Sequence, residues 1–244
     1  MMRTDALARR AFLQQFGIGA ATLAISGCAR QATRAAALTE APLPAPEPVR
    51  DADDALARLQ AGNRRYVAGE PLRFRHDAAR RIELAGGQRP VATVFACVDS
   101  RVPVERVFDQ AHGELLVIRT AAHVVDDAAL GSIEFGVGVL GTPLVVVMGH
   151  QRCGAVAAAI DYAENGTRAP GTIQMLVERI RPAVDAARGE KGVELDDATR
   201  THSRRIAQRL AESPVIGPAA REGRVRIVPA FYTMLTGGVD LMTA

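Results

Sequence analysis

The sequence predicts an α/β domain: a central, mostly parallel β-sheet flanked by helices. Three observations predict it. Short uncharged runs rich in Val and Ile alternate with helical patterns, as in strands joined by crossover helices. The 244 residues, 48% hydrophobic and 23% charged, suit one globular domain with a sizeable core. Thiol, imidazole and carboxylate side chains gather where two of the apolar runs end, and in parallel sheets chemistry collects at the carboxyl ends of strands.

The elements follow in chain order. Residues 8–28 read ARRAFLQQFGIGAATLAISGC, with the twin arginine Arg9-Arg10 ahead of an apolar stretch of small residues. That stretch is short of the roughly 20 apolar residues a bilayer span needs. It resembles a twin-arginine export signal, although Ala8 and Gln14 depart from the commonest flanking residues, and its close, AISGC, resembles a lipobox in which Cys28 becomes the lipidated first residue. The expectation is an export signal over 1–27, an exported periplasmic or cell-envelope protein, and a lipid on Cys28. Residues 28–50, rich in Ala and Pro without apolar periodicity, read as an extended tether.

The folded domain is expected over 51–244. It opens on an acidic-started helix with a following turn (51–70). Strands are predicted at 91–98, 114–120, 143–149 and 224–232, where β-branched runs carry few charges. Helical patterns fall at 126–141, 154–164, 172–187 and about 194–212.

The formal charge of +3 drops to about +1 once Arg3, Arg9, Arg10 and Asp5 leave with the signal, which gives nucleic-acid binding no support. The basic residues are nearly all Arg, Lys191 being the exception.

The first apolar run closes as ACVDSRVP (96–103), placing Cys97, Asp99 and Arg101 at alternate positions. Alternate side chains on an extended chain share a face. The third run closes as MGHQRCGAV (148–156), so His150 and Cys153 also lie where a strand gives way to a helix. Two thiols and an imidazole in a compact set suit zinc. Each part has a plainer reading: a lone Cys is more often a small core residue, Cys97 and Cys153 are open to a disulfide in an exported protein, and Asp99–Arg101 alone is a common ion pair. The plainer readings do not explain all five residues at one edge. His76, His112, His123 and His202 have no matching Cys and read as surface or structural.

The segments CVDSRVPVERVFDQAHGELLVIRTAAHVV and LGSIEFGVGVLGTPLVVVMGHQRCGAV resemble the β-class carbonic anhydrases, which carry a Cys-x-Asp-x-Arg motif and, some fifty residues on, a His-x-x-Cys motif. The resemblance is good from Asp51 to Ala157 and looser beyond, where RVRIVPAFYTMLTGGV is similar to the family's last core strand. Many members have Arg-Asn-Ala-Gly-Asn after the second strand; this chain has Arg119-Thr120-Ala121-Ala122-His123, so the hydrogen bonds there must differ. Trp is absent, so a regulatory bicarbonate pocket built around a Trp is not available in that form.

The resemblance implies one zinc per chain held by Cys97, His150 and Cys153, with a water or hydroxide as fourth ligand. Zinc lowers the pKa of bound water from about 15.7 towards ~7; the hydroxide attacks CO2 to give bicarbonate, and a fresh water then loses its proton to solvent. Asp99 then orients the water, Arg101 holds Asp99 off the metal, and Asp99 is a fourth ligand in a closed state. The resemblance also implies a homodimer or higher homo-oligomer, with the helix near 54–68 packed on a partner. Two alternatives stand beside carbonic anhydrase: a related zinc hydrolase acting on carbonyl sulfide or carbon disulfide, and a non-catalytic zinc- or bicarbonate-binding lipoprotein. An intact Asp99–Arg101 pair argues against the second, because a structural zinc needs no orienting carboxylate.

Overall fold

The protein is described by a computed structural model over residues 48–189 and 192–243. The export signal, Cys28 and most of the expected tether lie outside the described residues. Helix α1 (Ala52–Ala68) starts where Asp51 accepts the Asp54 N–H at 2.9 Å and stops at Gly69, whose φ of 73° suits a residue without Cβ. A short helix α2 (Ala78–Ala85) follows, and then β1 (Ala92–Cys97), the one-turn α3 (Val104–Val107), β2 (Leu115–Thr120) and a 3₁₀ turn (Ala121–His123). The rest runs α4 (Asp127–Gly138), β3 (Leu144–His150), α5 (Gly154–Asn165), α6 (Ile173–Ala186), α7 (Leu195–Ala211), α8 (Ile216–Arg221), β4 (Arg226–Tyr232) and β5 (Val239–Leu241).

The sheet order is β2-β1-β3-β4-β5, parallel except for the antiparallel edge strand β5. The predicted α/β class is therefore the observed one, and all four predicted strands are present. Three short helices (α2, α3 and α8) and β5 are additions that the sequence reading did not anticipate.

Strand alternation sorts the core into two layers. Ala92, Val94 and Ala96 of β1, with Leu144, Val146 and Met148 of β3, face Ala55 and Leu59 of α1 and Phe108. Phe95, Val145 and Val147 face the other way, onto Ile133 of α4 and Ile206 and Leu210 of α7. Helix α1 thus rests its buried face on its own sheet. Gly62 permits that approach: a Cβ there would stand 1.7 Å from the Phe108 carbonyl oxygen. Gly149 does the same for α7, since a Cβ would meet Ser203 Oγ at 2.6 Å.

A third buried cluster closes the carboxyl end of the sheet. It joins Cys97, Ala122, Val124 and Cys153 to Val156 of α5, Val177 and Ile180 of α6 and Ala198 of α7. The chain leaves β1 for β2 on one side and returns to β3 on the other, so β1 and β3 flank the point where the winding direction reverses. Ligands of open α/β sheets bind at such a point, outside the strand ends. Among the described residues no helix is long and apolar enough to cross a membrane.

Candidate metal centre

Cys97 is the last residue of β1 and His150 the last of β3. Arg152 turns the chain with a left-handed φ of 58°, bringing Cys153 to the N-cap of α5. There the partial positive charge of the helix start favours a thiolate. These steps gather one ligand atom each from Cys97, His150 and Cys153 within 4.8 Å of one another. All three residues are buried, at 5%, 1% and 1% exposure, and both cysteines are free thiols.

The donor set fits a zinc ion on three counts. His150 Nδ1 lies 2.9 Å from the Gln151 carbonyl, which can only accept, so Nδ1 carries the proton and Nε2 the lone pair. That Nε2 is buried and has no hydrogen-bond partner, a costly arrangement unless a ligand takes it up. The bond from Cys153, the nearby His150 ring and the backbone N–H groups of Asp99 and Ala122 hold the Cys97 thiol well below the ordinary thiol range, despite burial. The bond to the Cys97 sulfur, with burial, pushes Cys153 the other way. A dication is what lets both sulfurs be thiolates. Burial opposes charge on His150, but the Cys97 sulfur and the Asp99 carboxylate outweigh it and raise its pKa.

Asp99 and Arg101 lie in the turn that follows β1. The guanidinium grips the carboxylate through two bonds, Nε to Oδ1 at 2.9 Å and a terminal nitrogen to Oδ2 at 2.7 Å, and the Arg101 backbone N–H adds a third at 2.9 Å. Those bonds from Arg101 push the Asp99 carboxyl down to about 2 against the effect of burial. Asp99 Oδ2 stands 4.0 Å from His150 Nε2, so the carboxylate borders the space that the three ligand atoms enclose. The structure brings all five predicted residues to one place, with Asp99 in its arginine-bound state.

Sequence reasoning missed a clamp beneath this loop. Arg119, on β2, donates to the Cys97 carbonyl at 2.8 Å and to the Asp99 carbonyl at 2.6 Å, fixing the backbone that carries both side chains. The four histidines read as surface or structural divide between those two settings. His76 and His112 are exposed, but His123 and His202 are fully or almost fully buried behind the ligand cluster. The departure over 119–123 is resolved locally: Thr120 donates to the Val124 carbonyl at 2.7 Å, and His123 Nε2 lies 3.2 Å from Ser203 Oγ. Ala122 and His123 both adopt positive φ, 49° and 45°. Such non-glycine strain costs about 1–3 kcal/mol per residue and persists only where the surroundings impose it.

A buried thiol–imidazole–thiol set beside a tethered carboxylate, at the switch point of a parallel sheet, defines an α/β protein with a donor set able to hold a divalent metal. Comparison with known proteins gives the family. Residues 92–239 match the family profile described as carbonic anhydrase. "Carbonic anhydrase 2" of Mycobacterium tuberculosis is 41% identical over 180 residues, covering 73% of this chain and 87% of the relative. A carbonic anhydrase of Mycolicibacterium smegmatis is 41% identical over 184 residues, 75% and 89% of the two chains. Among solved structures, the Coccomyxa β-carbonic anhydrase in complex with acetazolamide is similar with a TM-score of 0.60 at 26% identity, over 68% of this chain and 78% of that one. A β-carbonic anhydrase of Sordaria macrospora, one of two described as tetrameric, shares the fold with a TM-score of 0.60 at 24% identity, over 67% and 86%. The chain belongs to the carbonic anhydrase family, in its β class. It is accordingly an enzyme, a carbonate dehydratase of the lyase class.

Proposed function

We propose that this chain is a zinc enzyme that reversibly hydrates CO2 to bicarbonate and a proton, with one zinc per chain held by Cys97, His150 and Cys153. The observation that carries the reading is the buried, unpartnered Nε2 of His150 converging with two free thiols. A zinc ion bound there supplies a Lewis acid that makes hydroxide available near neutral pH. The protein's residues do the rest. The Gln151 carbonyl fixes the tautomer of His150, so that the lone pair faces inward. Asp99 accepts a hydrogen bond from the attacking water and orients it, and Arg101 keeps Asp99 ionised and turned aside. Arg119 holds the loop that carries Asp99 through two carbonyl bonds. Burial of the ligand set limits access to small substrates, which suits CO2. A stopped-flow CO2-hydration assay on zinc-loaded protein, full length and without residues 1–28, tests the reading. Turnover that vanishes with chelation and returns with zinc supports it; zinc-replete protein without turnover refutes it.

The working form is proposed to be a homodimer or larger homo-oligomer. A cleft between α1 and β5, lined by Leu56, Val239 and Leu241 together with Gln60 and Arg64, supports this, as does the tetrameric description of the Sordaria relatives. Sedimentation at micromolar concentration is expected to give at least twice the chain mass; a fully active monomer refutes it.

The sequence features of residues 1–50 support an exported protein with a signal over 1–27, a tether over 28–50 and a lipid on Cys28. Export of a folded, zinc-loaded chain would protect Cys97 and Cys153 from joining in an oxidising compartment. Labelling with a fatty-acid analogue is expected to mark the wild type and spare Cys28→Ala, with CO2 hydration equal in both. An unlabelled wild type leaves a cleaved signal alone.

A further inference from the structure

His202 is a helical residue 105 positions from Cys97, and its chemistry is spent behind the metal centre. The ring is 2% exposed on α7, and its Nε2 lies 3.1 Å from the Ala122 carbonyl oxygen. A carbonyl only accepts, so Nε2 carries the proton and donates it. Burial, reinforced by the charge of Arg205, pushes His202 down to about 4, and the imidazole stays neutral near physiological pH. The other side of Ala122 faces the site: its N–H donates to Cys97 Sγ at 3.2 Å. One residue therefore has its carbonyl on His202 and its amide on a metal-ligand sulfur.

That residue is also one the backbone would not choose. Ala122 has φ 49° and ψ 30°, and His123 beside it has φ 45°. Two consecutive non-glycine residues in the left-handed region need outside support. Helix α7 gives it twice. Ser203 donates its own proton to the Thr199 carbonyl at 3.1 Å, so His123 Nε2, at 3.2 Å from Ser203 Oγ, is the donor of that bond. His202 holds the Ala122 carbonyl, and the two imidazoles lie 4.8 Å apart between centroids.

We propose that His202 is a positioning residue of the metal centre: by holding the Ala122 carbonyl it locks the strained 121–123 turn, keeps the Ala122 N–H on the Cys97 sulfur, and so sets how strongly that sulfur donates to the metal. This rests on the reading of Cys97 as a metal ligand. A hydrogen bond to a thiolate withdraws charge from it. Outer partners of this kind are typically worth about 10–100-fold in metal affinity.

The test uses the full chain loaded with cobalt(II) in place of zinc, and reads the sulfur-to-cobalt charge-transfer band together with zinc affinity by chelator competition. His202→Met and His202→Gln have equal length, but only Gln places an N–H where Nε2 stood. The Met variant is expected to shift the band to longer wavelength, because the sulfur regains charge, and to bind zinc about 10-fold or more weakly, because the released 121–123 turn no longer holds Cys97 in place for the metal and the thiol, without its hydrogen bond, holds its proton more tightly. The Gln variant is expected to return both readouts to wild type. Should the Met variant fail to fold, His202→Asn replaces it: the same amide one methylene shorter does not reach Ala122, and the band is expected to shift. A Met or Asn variant with an unshifted band and wild-type zinc affinity overturns the proposal. So does an equal change in the Gln and Met (or Asn) variants, which would make His202 a packing residue only. If wild-type protein gives no sulfur-to-cobalt band, the ligand assignment itself fails, a different result from either.

Discussion

Cys153→Ser is expected to lose most of its zinc and, with it, nearly all CO2 hydration. The serine keeps the shape of the α5 N-cap, but an alkoxide is a poor substitute for a thiolate at a soft site, and a neutral hydroxyl poorer still. Structural zinc sites bind with about 10–16 kcal/mol, so one of four ligands accounts for roughly 3–4 kcal/mol, a loss of at least about 10²-fold in affinity. Metal analysis by mass spectrometry should fall from about one equivalent in the wild type to a small fraction, and residual activity should track residual zinc. Cys97→Ser should behave likewise, and slightly worse, since Cys97 is also the sulfur that the Ala122 amide addresses. The fold should survive both: the site closes one end of the sheet, while the two main core layers contain neither cysteine. Full zinc in both variants would show that the ligands have been misassigned.

The parts of this site that were legible in the sequence are those fixed by local spacing. A strand that ends at Cys97 and runs straight into a turn carrying Asp99 and Arg101 delivers three side chains to one small region. His150 and Cys153, three apart across a strand-to-helix turn, are equally constrained. The strand ends lie within two residues of their expected positions because β-branched runs such as the one within Leu144–His150 stand out from the polar and Gly-rich segments on either side. What escaped notice depends on tertiary contact. Helices α2 and α8 are eight and six residues long, too short to show a period, and the three-residue β5 gives no alternation to detect. Arg119 reads as one polar residue in an apolar run; only the pairing of Cys97 with Thr120 puts it beside the Cys97 and Asp99 carbonyls. His202 sits in a strongly polar helical stretch, and its burial follows from Gly149 admitting α7 against β3. The left-handed Ala122 had no local sign at all, because alanine does not advertise positive φ as glycine or asparagine does.

The Asp99–Arg101 pair separates two failures that a ligand loss would merge. Asp99→Asn keeps the size of the side chain and its place above the Arg119-clamped loop, but removes the charge that accepts from the attacking water. Turnover should fall by ~10²-fold or more, the usual worth of a positioned acid–base group. Zinc content should stay near one equivalent, since Cys97, His150 and Cys153 are untouched. Arg101→Ala should fail by another route. The three bonds that hold Asp99 reduce to one, from the backbone N–H, and the freed carboxylate borders the ligand cluster with Oδ2 already 4.0 Å from His150 Nε2. It is expected to swing onto the metal and occupy the position that water needs, with an oxygen–zinc distance of about 2.0–2.2 Å in a crystal of the zinc-loaded variant. Guanidinium added to the assay can re-pair the carboxylate, so Arg101→Ala should partly recover while Asp99→Asn should not. Wild-type turnover in Asp99→Asn would leave the Asp99–Arg101 pair as an ion pair of the loop, with no part in orienting water.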